Sequence, residues 1–247
     1  MNSRKFQCLI LIFLPVSFLW ADMPEPVIVA VIQGSADTVA GEAVLREAYQ
    51  RLGVPVEFRP MGGAAALEAS SSGNVDAELQ RIDGINRSFP ELVQVPIPIN
   101  YVLGTAFSVE YDFRATGWRS LQTYRVGIVE GIIFSREGTQ GMDVTVAENH
   151  DQVFEMLVTG RIDVAVVPRI NGLSALKNMR NLKQDESREN SPVREMEGVL
   201  ETLFLYHYVH KSRSKIVPAL TEILTEMLND GTTRKIGDQA YKEFLSE

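Results

Sequence analysis

Residues 27–32 (VIVAVI) form an unbroken β-branched run, closed by Gln33, Gly34 and Ser35. Such a run predicts a strand covered on both faces. Val44, Leu45, Ala48, Tyr49 and Leu52 then recur at helical spacing, and Gly53 stops that helix. Residues 54–58 predict a second strand. Strand, helix and strand in that order imply a right-handed unit with a parallel pair. Residues 64–70 fit a short helix ending near Gly73, and residues 74–79 begin a further extended segment.

The same order returns later. Residues 124–129 predict a strand, residues 152–158 a helix with Val153, Met156 and Leu157 on one side, and residues 161–167 a buried strand. Gly73-Asn74-Val75-Asp76 and Gly160-Arg161-Ile162-Asp163 share one design: a helix stop, an apolar residue, then Asp opening a strand. Each alone is a common αβ turn. The two copies together favour a pair of α/β lobes over one continuous sheet. Residues 101–109 predict a strand crossing between lobes, and residues 203–209 the return crossing. Residues 112–120 read as a polar loop, and residues 177–197 as a solvated loop or surface helix. Ile216, Leu220, Ile223, Leu224 and Met227 mark an amphipathic helix that stops at Asn229-Asp230-Gly231. A last helix spans residues 233–245, with Ile236, Ala240 and Phe244 inward.

The N-terminus has a different layout. Arg4 and Lys5 precede an apolar stretch over residues 6–20, interrupted by Pro15 and followed by Ala21 and polar Asp22. This predicts a secretory signal over residues 1–21, cleaved after Ala21. The stretch is too short for a spanning helix, and no later run is long enough. Cys8, the one cysteine of the 247 residues, lies inside the signal. The mature chain therefore has no disulfide and no thiolate ligand. The net charge of −8 becomes more negative once Arg4 and Lys5 are removed. An acidic chain weighs against nucleic acid as a partner.

With these elements in order, the chain resembles the bacterial extracellular solute-binding proteins of family 3, which have the type 2 periplasmic binding protein fold. The resemblance rests on residues 44–58 (VLREAYQRLGVPVEF), 73–90 (GNVDAELQRIDGINRSFP), 160–167 (GRIDVAVV) and 220–244. It implies an α/β fold of two lobes, each a mixed, mostly parallel sheet flanked by helices, joined by two crossing strands. The first lobe would take residues 26–103 and 203–247, and the second residues 104–202. It also implies a periplasmic, non-enzymatic, monomeric protein without cofactor. Its partners would be a small polar or anionic solute (amino-acid-like or an organic acid) and an ABC transporter permease. Two features differ from the family's amino-acid binders. No Phe, Tyr or Trp occurs between Val27 and Ala48 to stack on a ligand. Pro168, followed by Arg169, stands where they carry an ammonium-binding Asp.

Candidate ligand contacts follow from the predicted strand ends. Arg81, Arg87 and Arg169 lie just past such ends, and a guanidinium grips a carboxylate with two parallel hydrogen bonds. Glu130, Gly131 and Ile132 follow the first strand of the second lobe, where a helix start would offer free N–H groups to an anion. Tyr101 lies on the crossing strand. Plain structural roles compete: Arg81 can pair with Glu78 and only shape its loop, and Tyr101 can be a packed hinge aromatic. His207 and His210, three apart, would fall on opposite faces of a strand with no third ligand nearby, so no metal site is expected. His150 reads as a surface residue at a helix start, and Asp76 and Asp163 as structural. Two other classes fit the same fold: an orphan ligand-sensing module, and an exported dehydratase-like enzyme using Glu78 or Glu130. A cleft acid with a raised pKa would favour the enzyme.

Overall fold

The computed structural model describes residues 25–182 and 193–246. The signal segment and part of the 177–197 stretch lie outside the described residues.

The first half runs β1 (Val27–Ile32), α1 (Thr38–Leu52), β2 (Val56–Met61), α2 (Gly63–Ser72) and β3 (Ala77–Ile82). β1 pairs in parallel with both β2 and β3. Central placement explains the unbroken apolar run of β1, since helices cover both faces. β4 (Leu92–Ser108) then extends for 17 residues. The second half runs β5 (Arg114–Thr116), β6 (Val126–Val129), α3 (Ile133–Gly138), β7 (Val144–Ala147), α4 (His150–Val158), β8 (Val164–Pro168), α5 (Arg169–Leu182), β9 (Arg194–Glu195) and β10 (Glu197–Val199). β11 (Glu201–His210), α6 (Val217–Asn229) and α7 (Thr232–Ser246) complete the first half.

One hydrogen-bonded path runs β2-β1-β3-β11-β4-β8-β6-β7. The expectation of two lobes holds, and β4 in addition carries one hydrogen-bonded ladder from one half to the other. Its first part pairs with β11 and its last residues with β8, and Gly104 belongs to both pairings. The apolar cores are nonetheless separate. Val29, Leu45, Tyr49, Leu79, Ile99 and Leu224 belong to the first. Phe107, Phe154, Ile162 and Val167 pack in the second, with a further cluster around Leu121, Ile128 and Val166 on its other face.

The two-fold Gly…Asp design has a matching physical role in each half. Gly73 and Gly160 both adopt left-handed φ, 78° and 69°, which glycine accepts without a Cβ penalty. Asp76 Oδ2 then accepts from the Ile28 backbone N–H at 2.9 Å. Asp163 Oδ2 accepts from the Arg125 backbone N–H at 2.8 Å. Each aspartate thereby fixes its strand to a neighbouring parallel strand, β3 to β1 and β8 to β6. Arg213 and Arg125 neutralise the two carboxylates.

Several elements differ from the sequence reading. β4 begins nine residues before the predicted start at Tyr101, because Pro96 and Pro98 mark its first part as a breaker. The ladder with β11 is irregular there, which accommodates both prolines. Residues 169–182 form α5 where only loop or surface helix was expected from residue 177 onward. The 112–120 segment holds the short strand β5.

Candidate functional site

A cavity of about 420 Å³ opens between the two cores. The first half contributes Asp37, Thr38, the β3 residues 78–82 and Ile85. The crossing strands contribute Val102, Glu201, Leu203 and Leu205. Gly131, Ile132, Phe134, His150 and Asn171 come from the second half. The wall is mainly apolar by area, with polar and charged side chains set into it.

β3 is aimed at this cavity by a bulge. Tyr206 of β11 faces Arg81, and Tyr208 faces Glu78, so two residues on β3 oppose the single residue His207. Without the extra residue, positions 78 and 81 would point to opposite faces. With it, Glu78 and Arg81 share a face. His207 fills the bulge. Its ring lies 2.8 Å from the Glu78 carbonyl and 3.1 Å from that of Leu79 through Nδ1, which donates, while Nε2 accepts from the Tyr49 hydroxyl at 3.0 Å. Full burial pushes its pKa down to about 4, so the ring is neutral at pH 7. It is a structural histidine.

Glu78 is fully buried and joined to Arg81 at 2.7 Å. Arg81 also donates to the Gly63 carbonyl at 2.8 Å, and Ser70 Oγ donates to the other Glu78 oxygen at 3.0 Å. Burial raises the Glu78 pKa, with Arg81 and Ser70 opposing. Glu78 thus meets the criterion of a cleft acid with a raised pKa. Both of its oxygens are engaged, however, and its side chain is closed to solvent. Arg81 is the one candidate arginine that lines the cavity, and it does so as half of a neutral pair.

The other expected contacts scatter. Arg87 is exposed on a 3₁₀ turn outside the cavity lining. Arg169 pairs with Glu195 at 2.7 Å and lines a separate groove beside α7, together with Tyr101. Glu130 is exposed, its backbone N–H given to Ala147. Gly131 and Ile132 do line the cavity, but α3 beyond them is only six residues long. Among the described residues no free guanidinium faces the cavity. No cluster of three His, Cys, Asp or Glu side chains that could hold a metal occurs among them either.

His150 corrects the expectation of a surface residue: it is half-buried on the cavity wall, 3.4 Å from Asn171 through Nε2. Burial lowers its pKa, with Asp151 and Asp37 opposing. Asp37 and Asn171 were missed by sequence reasoning. The Asp37 carboxylate accepts from Ser35 Oγ and from Gln80 Nε2, the latter at 2.9 Å. The Asp37 carbonyl accepts from Asn100 Nδ2 at 2.9 Å and from the Tyr241 hydroxyl at 3.4 Å. Strands β3 and β4 and helix α7 thus hold one loop in place. Gly41 leaves Gln80 its room here, since a Cβ on it would lie 2.3 Å from Gln80 Oε1.

No family model matches the chain. An uncharacterised protein of Shewanella oneidensis is 22% identical over 209 residues, covering 82% of this chain and 76% of that protein. A probable ABC transporter extracellular-binding protein of Bacillus subtilis, YckB, is 30% identical over 127 residues, covering 49% of this chain and 43% of that protein. Among solved structures, a histidine kinase sensor domain with similarity to periplasmic binding proteins matches with TM-score 0.65 and 17% identity, over 87% of this chain and 95% of that one. An ancestral arginine-binding protein bound to arginine matches with TM-score 0.63 and 18% identity, over 88% and 99%. The GluR0 ligand-binding core with L-glutamate matches with TM-score 0.67 and 11% identity, over 89% and 100%. The chain has the two-lobe fold of the type 2 periplasmic binding proteins.

Proposed function

We propose that the chain is an exported solute-binding protein that captures a small molecule between its lobes and delivers it to an ABC-type permease. The observation that carries this reading is the 420 Å³ cavity walled by both halves and by the crossing strands. A site divided between two bodies closes around its ligand by rotation about the connections. In this reading residues 26–103 and 203–247 are one lobe, residues 104–202 the other, residues 1–21 a removed signal, and the protein works as a periplasmic monomer. The fold neighbours are ligand binders or sensors, which supports a binding role over catalysis. The occupied oxygens of Glu78 point the same way, since a buried carboxyl held by Arg81 and Ser70 reaches no substrate proton. A sensing role is the second reading, favoured by the kinase sensor domain among the neighbours.

The test is a ligand screen by thermal shift on residues 22–247, with small-angle scattering on each hit. A ligand at 100 times its Kd adds about 2.7 kcal/mol to the folded state. A hit accompanied by compaction supports capture between lobes. Hits without compaction, or none across the panel, refute it. Deleting the gene for this protein separates transport from sensing: uptake of the hit is lost in the first case and retained in the second.

A further inference from the structure

Asn171 is 8% exposed, and its Oδ1 has no hydrogen-bond partner among the described residues. It sits in the first turn of α5 and lines both the main cavity and a side chamber of about 200 Å³ that also touches His150. A buried amide oxygen without a donor is uncommon, because leaving it unpaired in the folded state is costly. The oxygen is free to accept an N–H or O–H from something that enters the cavity.

The charge of the lining is a separate observation. Asp37, Glu78, Glu137 and Glu201 bring four carboxylates, and Arg81 brings the one guanidinium. Arg81 is joined to Glu78, so among the described residues Asp37, Glu137 and Glu201 have no cation opposite them in the wall. Their own partners are neutral: Ser35 and Gln80 hold Asp37, and Trp118 Nε1 donates to Glu201 at 3.1 Å. An incoming carboxylate would meet like charge and an acceptor oxygen. An incoming ammonium would meet opposite charge and the acceptor it lacks a rival for. Ile132, Phe134, Leu203 and Leu205 supply an apolar wall for the rest of the solute.

We propose that the solute is an organic amine with an apolar body, its protonated nitrogen donating to Asn171 Oδ1 in the cavity that Asp37 and His150 also line. This deepens the solute-binding reading and rests on it. It replaces the expected anionic solute, because the arginines meant to hold an anion are paired or lie elsewhere.

The test uses carbon frames of matched size in three forms: phenethylamine, phenylalanine and 3-phenylpropanoate, and the corresponding series on straight chains of about five carbons. Binding to residues 22–247 is measured by calorimetry. The expected order is amine first, zwitterion second, carboxylate last, with at least tenfold between amine and carboxylate. Asn171→Leu and Asp37→Asn should each weaken the amine at least tenfold while the melting curve of the empty protein stays cooperative. Asn171→Asp, which adds a charge in nearly the same shape, should tighten it. The reverse order, with carboxylates tightest, overturns the proposal and leaves solute capture standing. An amine that binds equally well to wild type and Asn171→Leu also overturns it. Binding by none of the three forms, nor by neutral sugars, overturns the solute-binding reading itself.

Discussion

Arg81→Met isolates the contribution of the guanidinium to the cleft floor. In the intact protein the Glu78 side chain is fully buried and Arg81 is 18% exposed, so solvent screens their 2.7 Å pair only slightly. Breaking a buried pair by removing one partner costs about 3–5 kcal/mol. Ser70 still donates to the carboxylate, which puts this case near the low end, at about 3 kcal/mol. For a chain of this length each kcal/mol lowers the melting temperature by roughly 2–4 °C, so a fall of roughly 6–12 °C is expected. The pH dependence is the sharper part. Burial already raises the Glu78 pKa against the pull of Arg81, and losing Arg81 raises it further. A carboxyl raised on folding favours the folded state at pH below its unfolded value, and that contribution is lost as pH rises through the folded value. The deficit of Arg81→Met should therefore be largest at alkaline pH and shrink as pH falls towards the ordinary carboxylate range. The double variant Glu78→Gln with Arg81→Met removes the buried charge, so it should recover more than half of the loss and its pH dependence. Urea unfolding across that range measures all three proteins. An equal deficit at both ends of the range would refute the assignment of Arg81 as the counter-charge of a buried carboxylate.

His207 carries the opposite sign: its folded pKa of about 4 lies below the ordinary 6.5, so it favours folding above that ordinary value. That contribution, about 3 kcal/mol, is lost as pH falls from about 6.5 towards 4. His207→Leu should flatten this loss in urea midpoints, and the wild-type ring should show no NMR titration above about pH 5.5. Gly160→Ala should cost about 1 kcal/mol for its left-handed φ alone, since nothing crowds its Cβ. Gly73→Ala should cost at least about 2 kcal/mol, because the new Cβ also meets the His210 ring at 2.9 Å. Asp76→Ala should cost about 2 kcal/mol by orphaning the Ile28 N–H, measured by urea unfolding, with the Ile28 amide newly exchanging.

The elements that were legible in the sequence are those whose signal is local. β1, α1, α6 and the two Gly…Asp turns each carry their period or their stop within a few residues. β7 was not singled out, because Val144-Thr145-Val146-Ala147 is short and three of its four side chains face outward or half outward. The first part of β4 was hidden by Pro96 and Pro98, whose effect depends on how β11 bends past them. The single path through β4 was equally hidden. Hydrogen-bond continuity between two cores is a property of pairing, which no stretch of one strand encodes.

The site was less legible for a physical reason that Glu78 and Arg81 make specific. Read as an ideal strand, residues three apart lie on opposite faces, so only one of the pair could enter the cleft. The bulge opposite His207 puts both there, and the pairing cancels the charge on which the anion expectation depended. That bulge is stabilised by a histidine more than 120 residues away in sequence, through bonds to two β3 carbonyls. Asn171 follows the same logic. In sequence it is one polar residue in an unremarked helix, and nothing there marks its oxygen as buried without a donor among the described residues. Positions that hold the lobes together announce themselves by period. Positions that line the cleft depend on what each side chain finds, or fails to find, across it, and under the amine proposal the unpaired acceptor at Asn171 and the paired cation at Arg81 together make the cleft's demand a donor and not an acceptor.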